Sequence, residues 1–242
     1  LMSWVKNREE FKQAALSTAR AVSRNQNLES TSQASSRPPT SSQLSLHYPP
    51  RSSSQIDAWR GEADFQTFWH AFHKEYASIK MPKIARDFFT ELELSRVEMV
   101  GGEKFPGAKI NLNAYLNTQA KKGIDNKVPP LNPLAVNLWL KQLNGETLAE
   151  DSKNTVNAFL SSIPIKIDDV GQKLIEAQNS QEKFQSIAIS LMRDLDLMHE
   201  PETEGGQESL KDEPTPEEPQ DSGEQEQEAE DGTQEQTIES QA

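Results

Sequence analysis

The sequence predicts an all-α protein: one multi-helix domain preceded by a Ser/Pro-rich linker and followed by a disordered acidic tail. Three observations carry that prediction. Apolar residues recur at i, i+3, i+4 and i+7 through most of the chain. Pro, Gly and Asn stand where such runs begin and end. No alternating period-2 run of useful length occurs.

The N-terminal segment, residues 1–29, carries Trp4, Phe11, Ala15, Thr18 and Val22 at roughly helical spacing, which predicts a helix over residues 3–24. Residues 30–56 are dominated by Ser, Gln and Pro, a composition that offers little apolar area against the entropy of ordering it, so a disordered linker is expected there. The helical body then spans residues 57–199, long enough for one domain. It opens on an aromatic-rich helix with Asp64, Phe65, Phe68, Trp69 and Phe72. Ala85, Phe88, Phe89, Leu92 and Met99 define a second helix that should end at Gly101-Gly102, and Ile110, Ala114 and Tyr115 suggest a third after Pro106-Gly107.

Punctuation becomes clearer toward the C-terminus. Asn132 before Pro133 supplies a cap and a proline at the first helical position, Val136, Trp139, Leu140 and Leu143 make one face, and Asn144-Gly145 is a stop. Val156, Phe159, Leu160 and Ile163 repeat the spacing up to Pro164, and Asp168 can cap a short helix holding Leu174 and Ile175. The strongest pattern is the last: Phe184, Ile187, Ala188, Leu191, Leu195 and Met198 form one stripe, and Asn179 with Glu182 resembles a capping box, predicting a helix over 180–198.

The 242 residues carry 25 Lys+Arg against 38 Asp+Glu, a formal charge of −13. Sixteen of those acids lie in residues 200–242, which hold a single base, Lys211, while the first 199 residues are nearly neutral with 24 bases and 22 acids. A cationic nucleic-acid binder is therefore not expected, and the acidic stretch reads as a self-repelling spacer. Absence of cysteine excludes disulfides, thiolate metal sites and cysteine nucleophiles. No run approaches the roughly 18 to 20 apolar residues of a membrane span, and the first residues are too polar for a signal peptide, so a cytosolic protein is expected.

Candidate chemistry is sparse. His70 and His73 stand three apart on one helix with Glu75 nearby, a spacing that can face one metal ion, although packed, hydrogen-bonded rings are the commoner outcome in such aromatic surroundings. Arg96 falls on the apolar face of its helix, four residues after Leu92, where a guanidinium needs a partner; Glu62, Asp64, Glu93 and Glu98 are the candidates for an internal ion pair. Neither G-x-x-x-x-G-K-[ST] nor G-x-G-x-x-G occurs, and the D-x-S-x-S start of a metal-ion-dependent adhesion site is also missing. Lys121, Lys122 and Lys127 read as solvated surface. No residue is singled out as catalytic, cofactor-binding or metal-binding.

Three stretches in order, Arg60-Gly61-Glu62-Ala63-Asp64 with His73 downstream, Glu93 to Gly101 (ELSRVEMVG) and Phe105 to Leu112 (FPGAKINL), resemble the CobT subunit family of the aerobic, ATP-dependent cobaltochelatase. The run FQSIAISLMRDLDLM before the acidic stretch is similar to that family's last helix before its acidic linker. The resemblance singles out Arg60, Asp64, His73, Glu93, Arg96, Glu98 and Asn111 as structural or partner-contact residues. It implies a non-catalytic component of a nitrogen–metal bond-forming ligase of cobalamin biosynthesis. Such a component assembles with a CobS-type AAA+ ATPase and a CobN-type large subunit, the complex using ATP and Mg²⁺ to insert Co²⁺ into hydrogenobyrinic acid a,c-diamide. The family's C-terminal von Willebrand factor A-type domain would follow the acidic linker, so the resemblance covers the N-terminal region. The competing readings are an unrelated helical adaptor with disordered arms and a metal-dependent hydrolase using His70 and His73.

Overall fold

The computed structural model describes residues 2–39, 42–75 and 79–199, without the side chains of residues 2–7 and Ser53; the acidic stretch, expected to be disordered, lies outside the described residues. Among the described residues the fold class is all-α as expected. Eight α-helices follow in order: α1 (Met2–Ser23), α2 (Ile56–Phe72), α3 (Lys83–Lys104), α4 (Ala108–Asp125), α5 (Pro133–Leu143), α6 (Glu150–Ser162), α7 (Asp168–Glu176) and α8 (Gln181–Asp194). Two strands of two residues, β1 (Ser30–Thr31) and β2 (Leu44–Ser45), pair in parallel between α1 and α2.

The middle of the fold is α3. Every residue from Glu91 to Gly102 is buried, with α2, α5 and α8 packed around it. The sequence placed its end at Gly101-Gly102, yet the helix runs on to Lys104. Gly101 serves packing: a Cβ there would lie 2.2 Å from the ring of Phe68, so the ring rests directly on bare backbone. Gly61 does the same between α2 and α4, where an added Cβ would sit 2.0 Å from the carbonyl oxygen of Asn111. The packed stripe of α4 is Ala108, Leu112, Tyr115, Leu116 and Ala120; Ile110, expected inside, is 68% exposed.

Helix ends follow local chemistry. Asn132 caps α5 as expected, its side chain accepting from the Leu134 N–H at 3.1 Å. The stop is a left-handed Gly145 (φ 79°), with Gly145 N–H donating to Gln142 O and Glu146 N–H to Lys141 O, the paired bonds of a Schellman motif. α8 ends the same way on Asp196 (φ 58°), with N–H groups of Asp196 and Leu197 donating to Arg193 O and Met192 O, which stops the helix short of the expected Met198. Its cap is Ser180 rather than Asn179, and Asp168 is the first residue of α7 rather than its cap. In that place the Asp168 carboxylate meets the positive end of the helix dipole, and the Trp139 indole N–H reaches it at 3.5 Å.

The stretch expected to be a disordered linker is instead built into the body. Leu28, Leu44 and Leu46 are buried with Leu16 and Ala19 of α1 and Trp59 and Ala63 of α2, forming a second apolar cluster that also docks α1. Leu44 and Leu46 of the stretch, with Leu28 just before it, are withdrawn from water at about 1.5–3 kcal/mol each and anchor it to the body. Polar groups add direction: the carboxamide of Gln66 accepts from Ser45 N–H at 2.8 Å and donates to Ser45 O at 3.1 Å, and the Trp59 indole donates to His47 O at 3.0 Å. Composition alone misses this because a few well-spaced apolar side chains outweigh a polar average.

Candidate functional site

On an α-helix successive residues turn by about 100°, so Glu91 and Glu98, seven apart, share one face of α3, while Glu93 and Arg96 occupy the opposite one. Each face buries a charged cluster.

The first cluster joins three helix ends. Arg96 donates to both carboxylate oxygens of Glu93, Nη2 to Oε1 at 2.7 Å and Nε to Oε2 at 2.9 Å. The guanidinium also donates to the carbonyl oxygens of Phe72 at the end of α2 (2.8 Å) and Gln178 before α8 (3.3 Å), and to Oε1 of Gln181 (3.2 Å). Of the four partners the sequence offered for Arg96, the structure selects Glu93. His73 completes the group, its Nδ1 2.9 Å from Glu93 Oε1 and its ring stacked on Trp69 at 3.8 Å between centroids. A planar fork held by a bidentate carboxylate and by backbone carbonyls is a fixed bracket between α2, α3 and α8.

Of the second cluster, the sequence singles out only Glu98. Arg37, from the stretch expected to be a linker, reaches Glu91 with Nε to Oε1 at 2.9 Å and Nη2 to Oε2 at 3.0 Å, and Nη2 lies 2.9 Å from Glu98. Lys141 of α5, wholly buried, stands 3.4 Å from Glu98 and 3.8 Å from Glu146, which the turn after α5 folds back toward it. Asn137 Nδ2 donates to Glu98 Oε2 at 3.3 Å. Burial would lower the pKa of Arg37, but Glu91 and Glu98 more than offset this and raise it, so the guanidinium stays charged. Burial raises the pKa of Glu91, against the opposing pull of Arg37. Lys141 did leave a trace: it stands seven residues after Leu134 and three after Leu138, on the same face of α5. Arg37 left none in periodicity. Replacing Arg37 by Gln is expected to accelerate amide exchange at Leu44 and Leu46 by about tenfold while α3 stays protected, since the segment loses its anchor and the central helix does not; exchange measured by mass spectrometry checks this.

The remaining residues named from the sequence gather elsewhere. Arg60 and Asp64 of α2 and Asn111 of α4 line one cavity beneath α1, with Asn111 Nδ2 donating to Asp64 Oδ2 at 2.8 Å. Burial raises the pKa of Asp64, with Asn111 and Arg60 pulling it back. An acid whose folded pKa lies above its unfolded value binds more protons when folded, so its contribution to stability falls as pH rises from the ordinary carboxylate range toward the raised value. Asp64→Asn should therefore flatten the stability profile above pH 4, which denaturant unfolding at a series of pH values will show.

His70 and His73 do not converge. His73 meets Glu93, whereas His70 is half-buried with a backbone hydrogen bond to Gln43, and burial lowers its pKa. Among the described residues, no group of three or more His, Asp and Glu side chains is placed to hold a metal ion, and no helix is long and apolar enough to cross a membrane. The buried carboxylates of α3, Glu91, Glu93 and Glu98, are committed to cations, which suits fixing helices and leaves them poorly placed as bases.

Comparison with known proteins agrees with the resemblance carried by these segments. Residues 5–242 match the family model described as cobalamin biosynthesis protein CobT, which includes the Ser/Pro-rich stretch that holds Arg37 and the acidic run. No curated protein and no solved structure shows significant similarity to the chain. With the match extending over nearly the whole sequence, the chain belongs to the CobT family of cobalamin biosynthesis proteins.

Proposed function

We propose that this chain is a non-catalytic component of an aerobic, ATP-dependent cobaltochelatase. In this reading its helical body docks on a CobS-type AAA+ ATPase and works beside a CobN-type large subunit. ATP and Mg²⁺ belong to the partners, and Co²⁺ and hydrogenobyrinic acid a,c-diamide are the substrates of the complex, in the cytosol. The single observation that carries the reading is the family match over residues 5–242.

The geometry supports it in kind. The charged residues of the ELSRVEMVG stretch face inward and tie α2, α3, α5, α8 and the preceding segment together, as a body that transmits conformational work needs to be tied. The acidic run after residue 199 fits a spacer that charge repulsion extends. Mixing the purified chain with the AAA+ subunit at micromolar concentration is expected to give one co-eluting complex, and Co²⁺ insertion by the reconstituted system is expected to require the chain. Separate elution of two folded proteins, or metal insertion by this chain alone, rejects the proposal.

A further inference from the structure

Between α1, α2 and α4 lies a cavity of about 320 Å³ that neither charged cluster of α3 uses. Phe11, Ala14, Ala15, Trp59 and Ala63 give it an apolar part, and its size is at the lower end of the range of about 300–1,000 Å³ in which proteins hold small molecules. Half of the side chains with polar groups around it are already committed. Thr67 Oγ1 donates to Ala63 O, Thr18 Oγ1 to Ala14 O, and Trp59 Nε1 to His47 O.

Three polar side chains remain. Arg60 and Asp64 stand one turn apart on α2, and Asn111 faces them from α4. The bond from Asn111 Nδ2 to Asp64 Oδ2 leaves Oδ1 of both residues without a hydrogen-bond partner among the described residues. The guanidinium carbon of Arg60 lies 5.8 Å from the centre of the Phe11 ring, and its N–H groups make no hydrogen bond among the described residues, which leaves them for a ligand.

This set selects by charge. A free cation meets Arg60 and a free anion meets Asp64, so either is opposed by one of the two. A neutral group with an acceptor and a two-proton donor on the same carbon satisfies all three. We propose that the cavity binds a primary carboxamide on a short alkyl arm, its oxygen accepting from Arg60 and its NH₂ donating to Asp64 Oδ1 and Asn111 Oδ1. The arm then lies against Trp59, Ala63 and Ala15. The same chemistry is carried by small amidated acids and by glutamine side chains.

The experiment titrates the isotope-labelled full chain with butyramide, butyrate and butylammonium, and with acetyl-Gly-Gln-Gly-N-methylamide, following the Asn111 side-chain amide and the Trp59 indole by NMR. Butyramide is expected to shift both signals saturably in the millimolar range, at least tenfold more tightly than either ion. Arg60→Met should weaken it tenfold or more, while Lys83→Met, on an exposed lysine outside the cavity, leaves it unchanged. Binding of the peptide as well as butyramide places the natural source in a glutamine, and binding of butyramide alone places it in a small molecule. Absent saturation, equal binding of either ion, or unchanged binding to the Arg60→Met protein overturns the proposal.

Discussion

Replacing Arg96 by Met is expected to destabilise the helical body by about 3–5 kcal/mol, because it leaves the Glu93 carboxylate buried without its cation. Glu93 and Arg96 are 1% and 3% exposed, so solvent cannot take over the lost bonds. Against a total stability of about 5–15 kcal/mol for an ordinary domain, that loss brings the protein close to unfolding at ambient temperature. The carbonyls of Phe72 and Gln178 lose a donor at the same time, which loosens the ends of α2 and α8. Glu93→Leu combined with Arg96→Met removes both charges and should recover part of the loss, the remainder reflecting those orphaned carbonyls. Denaturant unfolding of the two single variants and the double variant separates these contributions, and full additivity would show that the pair is not coupled.

Gly61→Val should cost about 3 kcal/mol or more, at the upper end of what overpacking does. The atoms a side chain would meet there are the backbone carbonyl of Asn111, at 2.0 Å from the first added carbon, and the Cβ of Tyr115 at 2.7 Å. Neither can swing aside, so α2 and α4 must part along their contact. For a domain of this size each kcal/mol lowers the melting temperature by about 2–4 °C, which puts the expected fall at roughly 6–12 °C or more. Gly101→Ala provides the comparison: its added carbon meets the Phe68 ring at 2.2 Å, and a side chain has more freedom to yield than a helix backbone, so the cost should be smaller. A Gly61→Val protein melting with the parent would show that α2 and α4 are less closely apposed than described.

The helices were legible in the sequence wherever apolar spacing and punctuation agreed, as at α5, where Asn132, Pro133 and Gly145 mark both ends. The end of α3 was misread because Gly101-Gly102 has the composition of a stop and the role of a packing surface; only the Phe68 ring, thirty-three residues away in sequence, reveals the difference. Arg96 was legible as an internal ion because it interrupts an apolar face, and its partner was within one turn. Arg37 was not, because its partners lie 54 and 61 positions along the chain and its neighbours are Ser and Pro. Lys141 was passed over, although its position between buried neighbours on α5 marks it as an internal residue. The cavity residues Arg60, Asp64 and Asn111 were named from two separate segments, but nothing local says that those segments meet.

The placement of ions on opposite sides of α3 has a mechanical meaning. Sliding that helix by a single residue would turn it by about 100°, carrying Glu91 and Glu98 away from Arg37 and Lys141 and, on the other side, Arg96 away from the carbonyls of Phe72 and Gln178. It is thus keyed like a shaft in a slotted bore: rotation about its own axis breaks buried polar bonds on both sides together, so the bundle resists that movement from two directions.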